Sequence, residues 1–176
     1  FILPNIKNEN LISISNSSGH SSMNIAKKFK FNNSTCNAKS IIDDEDINTL
    51  FIASQHNSHF KYVADGLKAN KNIFVEKPLC IYENELDELT ELYNNSENIL
   101  MVGFNRRFSQ HIQKLKAIMK NNSPLAINYR INAGHIDKDH WIQDKDIGGG
   151  RVIGELCHFI DLVTFIINDK PKNLYA

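Results

Sequence analysis

The chain has 176 residues, with 20 Lys or Arg balancing 20 Asp or Glu, so its formal net charge is zero. That balance excludes bulk electrostatic attachment to nucleic acid or to an anionic membrane surface. Hydrophobic residues form 41% of the sequence, enough for a packed core, but the apolar runs are short and broken, so no membrane span is expected. Cys36, Cys80 and Cys157 are widely spaced and offer no disulfide framework, and no secretory leader opens the sequence. Both features point to a cytoplasmic protein. The length allows one domain and part of another. The start on Phe1 and the stop soon after a long apolar segment suggest a piece of a longer protein.

In chain order, residues 11–15 ("LISIS") predict a short buried strand. Gly19, Ser21 and Ser22 follow as turn and cap material, and residues 23–30 as a helix. Residues 49–53 ("TLFIA") predict a second strand, and residues 60–70 a helix. Residues 73–75 predict a third strand and 83–93 a helix whose acidic first turns suit the helix dipole. Residues 99–103 ("ILMVG") predict a fourth strand and 111–120 a helix. Short apolar strands alternating with helices predict an α/β fold: a Rossmann-like, doubly wound parallel sheet covered on both faces. Ligands of such sheets sit beyond the carboxyl ends of the strands. The sheet is expected to be incomplete, because no G-x-G-x-x-G loop is present to cradle a pyrophosphate.

The pattern changes after Pro124. Residues 125–132 ("LAINYRIN") alternate apolar with polar over their second half, as a strand of an antiparallel or mixed sheet with one solvated face does. A polar, glycine-containing connection leads to a largely apolar helix over residues 151–167. The domain change is placed within residues 104–124, giving a Rossmann-like domain over residues 1–105 and the start of a second α/β domain over 106–176.

Several side chains stand where chemistry is expected. Glu76, Lys77 and Pro78 end the third predicted strand. They make a surface ion pair with a proline stop, or they deliver a lysine able to hydrogen-bond a substrate hydroxyl. Ser54, Gln55, His56 and His59 follow the second strong strand. They contact a cofactor, or they belong to a helix cap formed by Asn57 or Ser58 with exposed histidines. Ser15 and Asn16 end the first strand, where an acid would meet ribose hydroxyls; they decide nothing between NAD and NADP. The paired arginines of "GFNRRFS", Arg106 and Arg107, suit a cofactor phosphate, a domain interface or a solvated loop. Three glycines at 148–150 precede the late helix, as a close approach to ligand or as a flexible link. Glu155, His158 and Asp161 recur every three residues and share a face. That face is either a solvated stripe or an acid/base site, with His158 taking a hydroxyl proton and Glu155 stabilising the imidazolium. His135, His140 and Cys157 match no common zinc spacing, so no metal is expected.

Together, "NIFVEKPL" (residues 72–79), "VGFNRRF" (102–108) and "GGGRVIGELCHFID" (148–161) resemble, in order and spacing, the glucose-fructose oxidoreductase / inositol dehydrogenase (Gfo/Idh/MocA) family. The resemblance covers nearly the whole chain. It implies an N-terminal Rossmann domain, a C-terminal α/β domain built on a large open sheet, and NAD(P)-dependent redox chemistry on hydroxyl groups of sugars, inositols or nucleotide sugars. Under it, Lys77 is the substrate lysine and His158 the catalytic histidine, with Asp161 completing His-x-x-Asp and Glu155 assisting. Glu76 and Pro78 shape a turn beneath the nicotinamide, with a cis Lys77–Pro78 peptide. NAD or NADP would meet Ser15, Asn16, Ser54, Gln55, His56, His59, Glu76, Lys77, Pro78 and Arg106. The chain departs from the family at Gly154, where many relatives carry aspartate, and at Gln55–His56, where Pro-Asn is frequent. The glycine loop and most of the C-terminal sheet are missing, so the intact protein is expected to be the enzyme and a homo-oligomer, and this piece inactive alone. Lys77 and His158 are expected to converge on one cleft. The alternatives are a non-catalytic binding or regulatory protein on the same fold, and an NAD-dependent glycoside hydrolase of the same family.

Overall fold

The computed structural model describes residues 2–119 and 125–175. The last residue of the helix expected over 111–120, and the end of the expected domain change, lie outside the described residues. Elements alternate as expected: β1 (Ser13–Ser15), α1 (Gly19–Phe29), β2 (Asn33–Thr35), α2 (Ala38–Ile42), β3 (Thr49–Ile52), α3 (His59–Lys68), β4 (Asn72–Val75), α4 (Glu83–Asn94), β5 (Leu100–Val102), α5 (Gln110–Ile118) and α6 (Cys157–Ile167). β1 pairs in parallel with β2, and β3–β4–β5 form a second parallel ladder. Crossover helices α3 and α4 join the strands of that second ladder, which produces its parallel sense. β2 and α2 are absent from the sequence reading, since a three-residue polar strand ("NST") and a five-residue helix carry no readable period.

Register decides where the core lies. Leu50, Ile73 and Leu100 are aligned, as are Ile52, Val75 and Val102. These side chains share one face; all but Leu50, which belongs to a neighbouring cluster, pack with Val63, Ala64 and Leu67 of α3 and Leu89 of α4. Ile12, beside β1, packs with Ile42, Ile47 and Leu50 and so joins the two ladders. The alternate row, Phe51, Phe74 and Met101, lies on the other face. Phe51 remains 51% exposed and Met101 43%, so the expectation of a sheet covered on both faces does not hold along this row. Lys71, at the turn into β4, is buried, and its Nζ donates to the carbonyls of Asp44 and Ile47 at 2.6 Å each. Those two bonds fasten the loop before β3 and meet the donor needs of a buried ammonium.

Two expectations for the later part need correction. Residues 125–132 make no ladder, and Leu125, Ile127, Tyr129 and Ile131 are exposed like the residues between them. Alternation marks a two-faced chain, but a strand also needs a backbone partner, and none pairs with it among the described residues. Tyr129 instead meets the Phe159 ring edge-on at 5.5 Å. The helix expected over 151–167 contains a π turn, Val152–Leu156, before α6. Such wide turns are rare and gather at functional sites.

Candidate active site

The site is built from the carboxyl ends of β3 and β4 and from the π turn. β4 runs directly into Glu76, Lys77 and Pro78, and the Lys77–Pro78 peptide is cis. His59, fully buried at the start of α3, holds this turn: Nδ1 lies 2.7 Å from Pro78 O and Nε2 3.0 Å from Ser54 O. One ring thus ties together the ends of two neighbouring strands. Gly103, after β5, leaves room for the Glu76 carboxylate, whose Oε2 would stand 3.1 Å from a Cβ there.

Lys77 reaches across to the late helix. Its Nζ donates to Gly154 O at 2.5 Å and lies 3.6 Å from Glu155 Oε1. His158 is buried, with the Phe104 ring edge-on at 6.1 Å. Burial lowers its pKa from 6.5, the positive charges of Lys77 and Arg106 lower it further, and Glu155 and Asp161 oppose them. The imidazole is therefore neutral at neutral pH and can accept a proton. Its Nδ1 is buried without a hydrogen-bond partner. The side chain of Asp161, one turn on, is 8% exposed and accepts two hydrogen bonds from Arg107, through Nε at 2.7 Å and through a terminal amino group. The Glu155–His158–Asp161 face is thus turned inward and is not a solvated stripe. Lys77, Glu155 and His158 gather at one place, at the strand ends.

The sequence pattern of the Gfo/Idh/MocA family, an oxidoreductase family with an NAD-binding Rossmann fold, matches residues 3–104. The chain belongs to the Gfo/Idh/MocA oxidoreductase family. It is 26% identical over 148 residues to the myo-inositol 2-dehydrogenase of Thermotoga maritima, covering 77% of this chain and 41% of that protein. It is also 26% identical to the levoglucosan dehydrogenase of Pseudarthrobacter phenanthrenivorans, covering 82% of this chain and 39% of that one. A levoglucosan dehydrogenase solved with NADH and levoglucosan superposes with a TM-score of 0.74 at 24% identity, over 90% of this chain and 45% of its own. The myo-inositol 2-dehydrogenase of Lactobacillus plantarum superposes at 0.77 and 21% identity, over 97% of this chain and 52% of its own. These two structures share the fold. The chain spans about half the length of the proteins it matches, or less.

A Gfo/Idh/MocA chain uses a nicotinamide dinucleotide, and the residues present fit one. Ser54 and Gln55 stand exposed beyond β3, Lys77 projects from the turn beyond β4, and the orphaned His158 Nδ1 is a polar atom awaiting a partner. The other expected contacts are more dispersed. Ser15 and Asn16 end β1 on the other ladder, and Asn16 Oδ1 caps its own turn by accepting from the Ser18 amide at 2.9 Å. Ser54 Oγ lies 2.6 Å from Ser58 Oγ. Ser58 does stand at the N-cap of α3, though without a side-chain cap bond, but His56 and His59 are buried and not exposed as the cap alternative had them. His56 turns to the late segment: Nδ1 lies 2.7 Å from Gly148 O, and Trp141 meets the ring edge-on at 4.8 Å. Arg106 is exposed and stacks over Phe159 at 4.7 Å, an internal contact between the loop after β5 and α6.

Sequence reasoning missed Trp141, Phe104 and the acceptor carbonyls of Gly148 and Gly154, and it named the Arg106–Arg107 pair without telling which of the two meets Asp161. Adjacent arginines are indistinguishable until a structure shows which one faces an acid, and a backbone carbonyl carries no side-chain signature. No helix among the described residues is long and apolar enough to cross a membrane.

Proposed function

We propose that the intact protein is an NAD(P)-dependent oxidoreductase acting on a hydroxyl carbon of a sugar, inositol or nucleotide sugar. The observation that carries this reading is the convergence of Lys77 Nζ, the Glu155 carboxylate and the neutral His158 ring, whose Nδ1 has no hydrogen-bond partner and whose pKa both of those charges shift, at the carboxyl ends of parallel strands. The kinship with inositol and levoglucosan dehydrogenases supports the substrate class.

When bound, the nicotinamide supplies the acceptor or donor of hydride. Ser54, Gln55 and the Glu76–Pro78 turn are the groups that would hold it. Lys77 donates a hydrogen bond to the substrate oxygen and stabilises the negative charge that develops there. His158 takes the hydroxyl proton during oxidation and returns it during reduction. Glu155 anchors the Lys77 amine and offsets the charge that appears on the imidazole.

The test is steady-state turnover by the full-length protein on the best polyol or nucleotide sugar found by screening. Lys77→Ala and His158→Ala should each lower kcat/KM by roughly 10² to 10⁴, with NADH fluorescence titration showing nucleotide binding retained. Undiminished turnover in either variant rejects the assignment.

A further inference from the structure

His56 and Gly154 lie far apart in the sequence, and in the fold they touch. A Cβ on Gly154 would stand 3.1 Å from His56 Cε1, 3.4 Å from its Nδ1 and 3.3 Å from Gly148 O. The ring has little freedom to retreat. It is buried, bonded to Gly148 O at 2.7 Å, and faced by Trp141 at 4.8 Å and His59 at 5.8 Å. The carbonyl of Gly154 is also the group that receives the Lys77 amine.

We infer that His56 is a positioning residue, filling the space that a side chain at 154 would need and so fixing the Gly154 carbonyl that holds Lys77. The inference rests on the proposed function for its catalytic consequence but on contact geometry for the pairing itself. It accounts for two otherwise unconnected features. Position 154 is glycine inside a helical segment, where alanine would stabilise the helix, because the imidazole stands against it. The wall beside Lys77 is made by a ring whose charge burial disfavours, leaving Glu155 as the carboxylate that pairs with the amine. The reach of a lysine to a reacting oxygen depends on where its amine is tethered, and displacements near 1 Å cost large factors in rate.

A double-mutant cycle in the full-length protein tests this with His56→Ala, Gly154→Ala and both together. The readouts are kcat and KM on the screened substrate and the rate at which acetic anhydride acylates Lys77, followed by peptide mass spectrometry. With His56 present, Gly154→Ala should lower kcat roughly tenfold or more and raise Lys77 acylation several-fold, with the KM for nucleotide little changed. In the His56→Ala background the same substitution should change both by less than about twofold. His56→Asn, which can keep the bond to Gly148 O, should restore most of the kcat lost in His56→Ala; should His56→Ala fail to fold, His56→Thr, which also removes the ring, takes its place in the cycle. Equal effects of Gly154→Ala in both backgrounds would overturn the pairing. An unchanged Lys77 acylation rate in His56→Ala would overturn the positioning role. Coupled acylation in a protein without turnover upholds the pairing and rejects the oxidoreductase reading.

Discussion

At His158 the decisive fact is the cost of charging a largely buried ring. Burial is the largest influence, Lys77 and Arg106 add to it, and Glu155 and Asp161 pull the other way. His56 is shifted in the same direction, again by burial first. His59 and Lys77 add to that shift, and the bond with Gly148 O and the charge of Glu155 oppose it. Each ring therefore stays neutral in the fold at a pH where the unfolded chain is already protonated. The stability linked to this difference is complete above pH 6.5 and is lost as pH falls from there through the folded pKa values. The melting temperature of the full-length protein should decline on acidification in that window, and His56→Asn and His158→Asn should each make the decline shallower. An identical slope in both variants would assign the acid sensitivity to other groups. Lys77, Glu155 and His158 were legible in the sequence because strand-end and helix-face arguments place them independently. His56 was legible only as a polar residue near the site. Its real partners, Gly148, Gly154 and Trp141, lie more than eighty positions away, and no local pattern announces them.

Among the elements, those with a strong period were readable. β3, β4 and α3 appear within a few residues of expectation, since their apolar side chains are the ones that fill the core. The strand over 125–132 was misjudged for a related reason: its period is real, but periodicity records which way side chains point and not whether a second backbone is there to pair. The π turn was unreadable because an α-helix and a wide turn place the same residues on nearly the same face over so short a span. The segment from Trp141 to Gly150 packs by backbone contact. A Cβ on Gly148 would fall 2.4 Å from Ile142 Cα and 2.5 Å from Ile142 O, and neither atom can rotate aside. Gly148→Ala should therefore destabilise the protein by about 1–3 kcal/mol or more, read as a lower denaturation midpoint at unchanged m-value. It should also loosen His56, whose acceptor is Gly148 O. A midpoint equal to wild type would mean that this segment shifts as a unit without cost.

For the whole molecule, the α/β class followed from the alternation of short apolar strands with helices, and family membership from three dispersed motifs none of which is decisive alone. The openness of the Phe51–Phe74–Met101 row was not legible, because an apolar strand looks the same whether one face or two are covered. Lys71 has a further consequence. Its amine is sealed behind the carbonyls of Asp44 and Ile47, while Lys39 holds its own amine at the surface, with 76% of the side chain exposed. An acylating reagent can reach the first only when that corner of the fold swings open. Relative to Lys39, Lys71 should be modified at least about 10²-fold more slowly, with the gap narrowing in dilute urea; matched rates would show the corner to be already ajar. The ratio of the two labels converts a single buried cation into a clock for local breathing, readable with no substrate and no nucleotide.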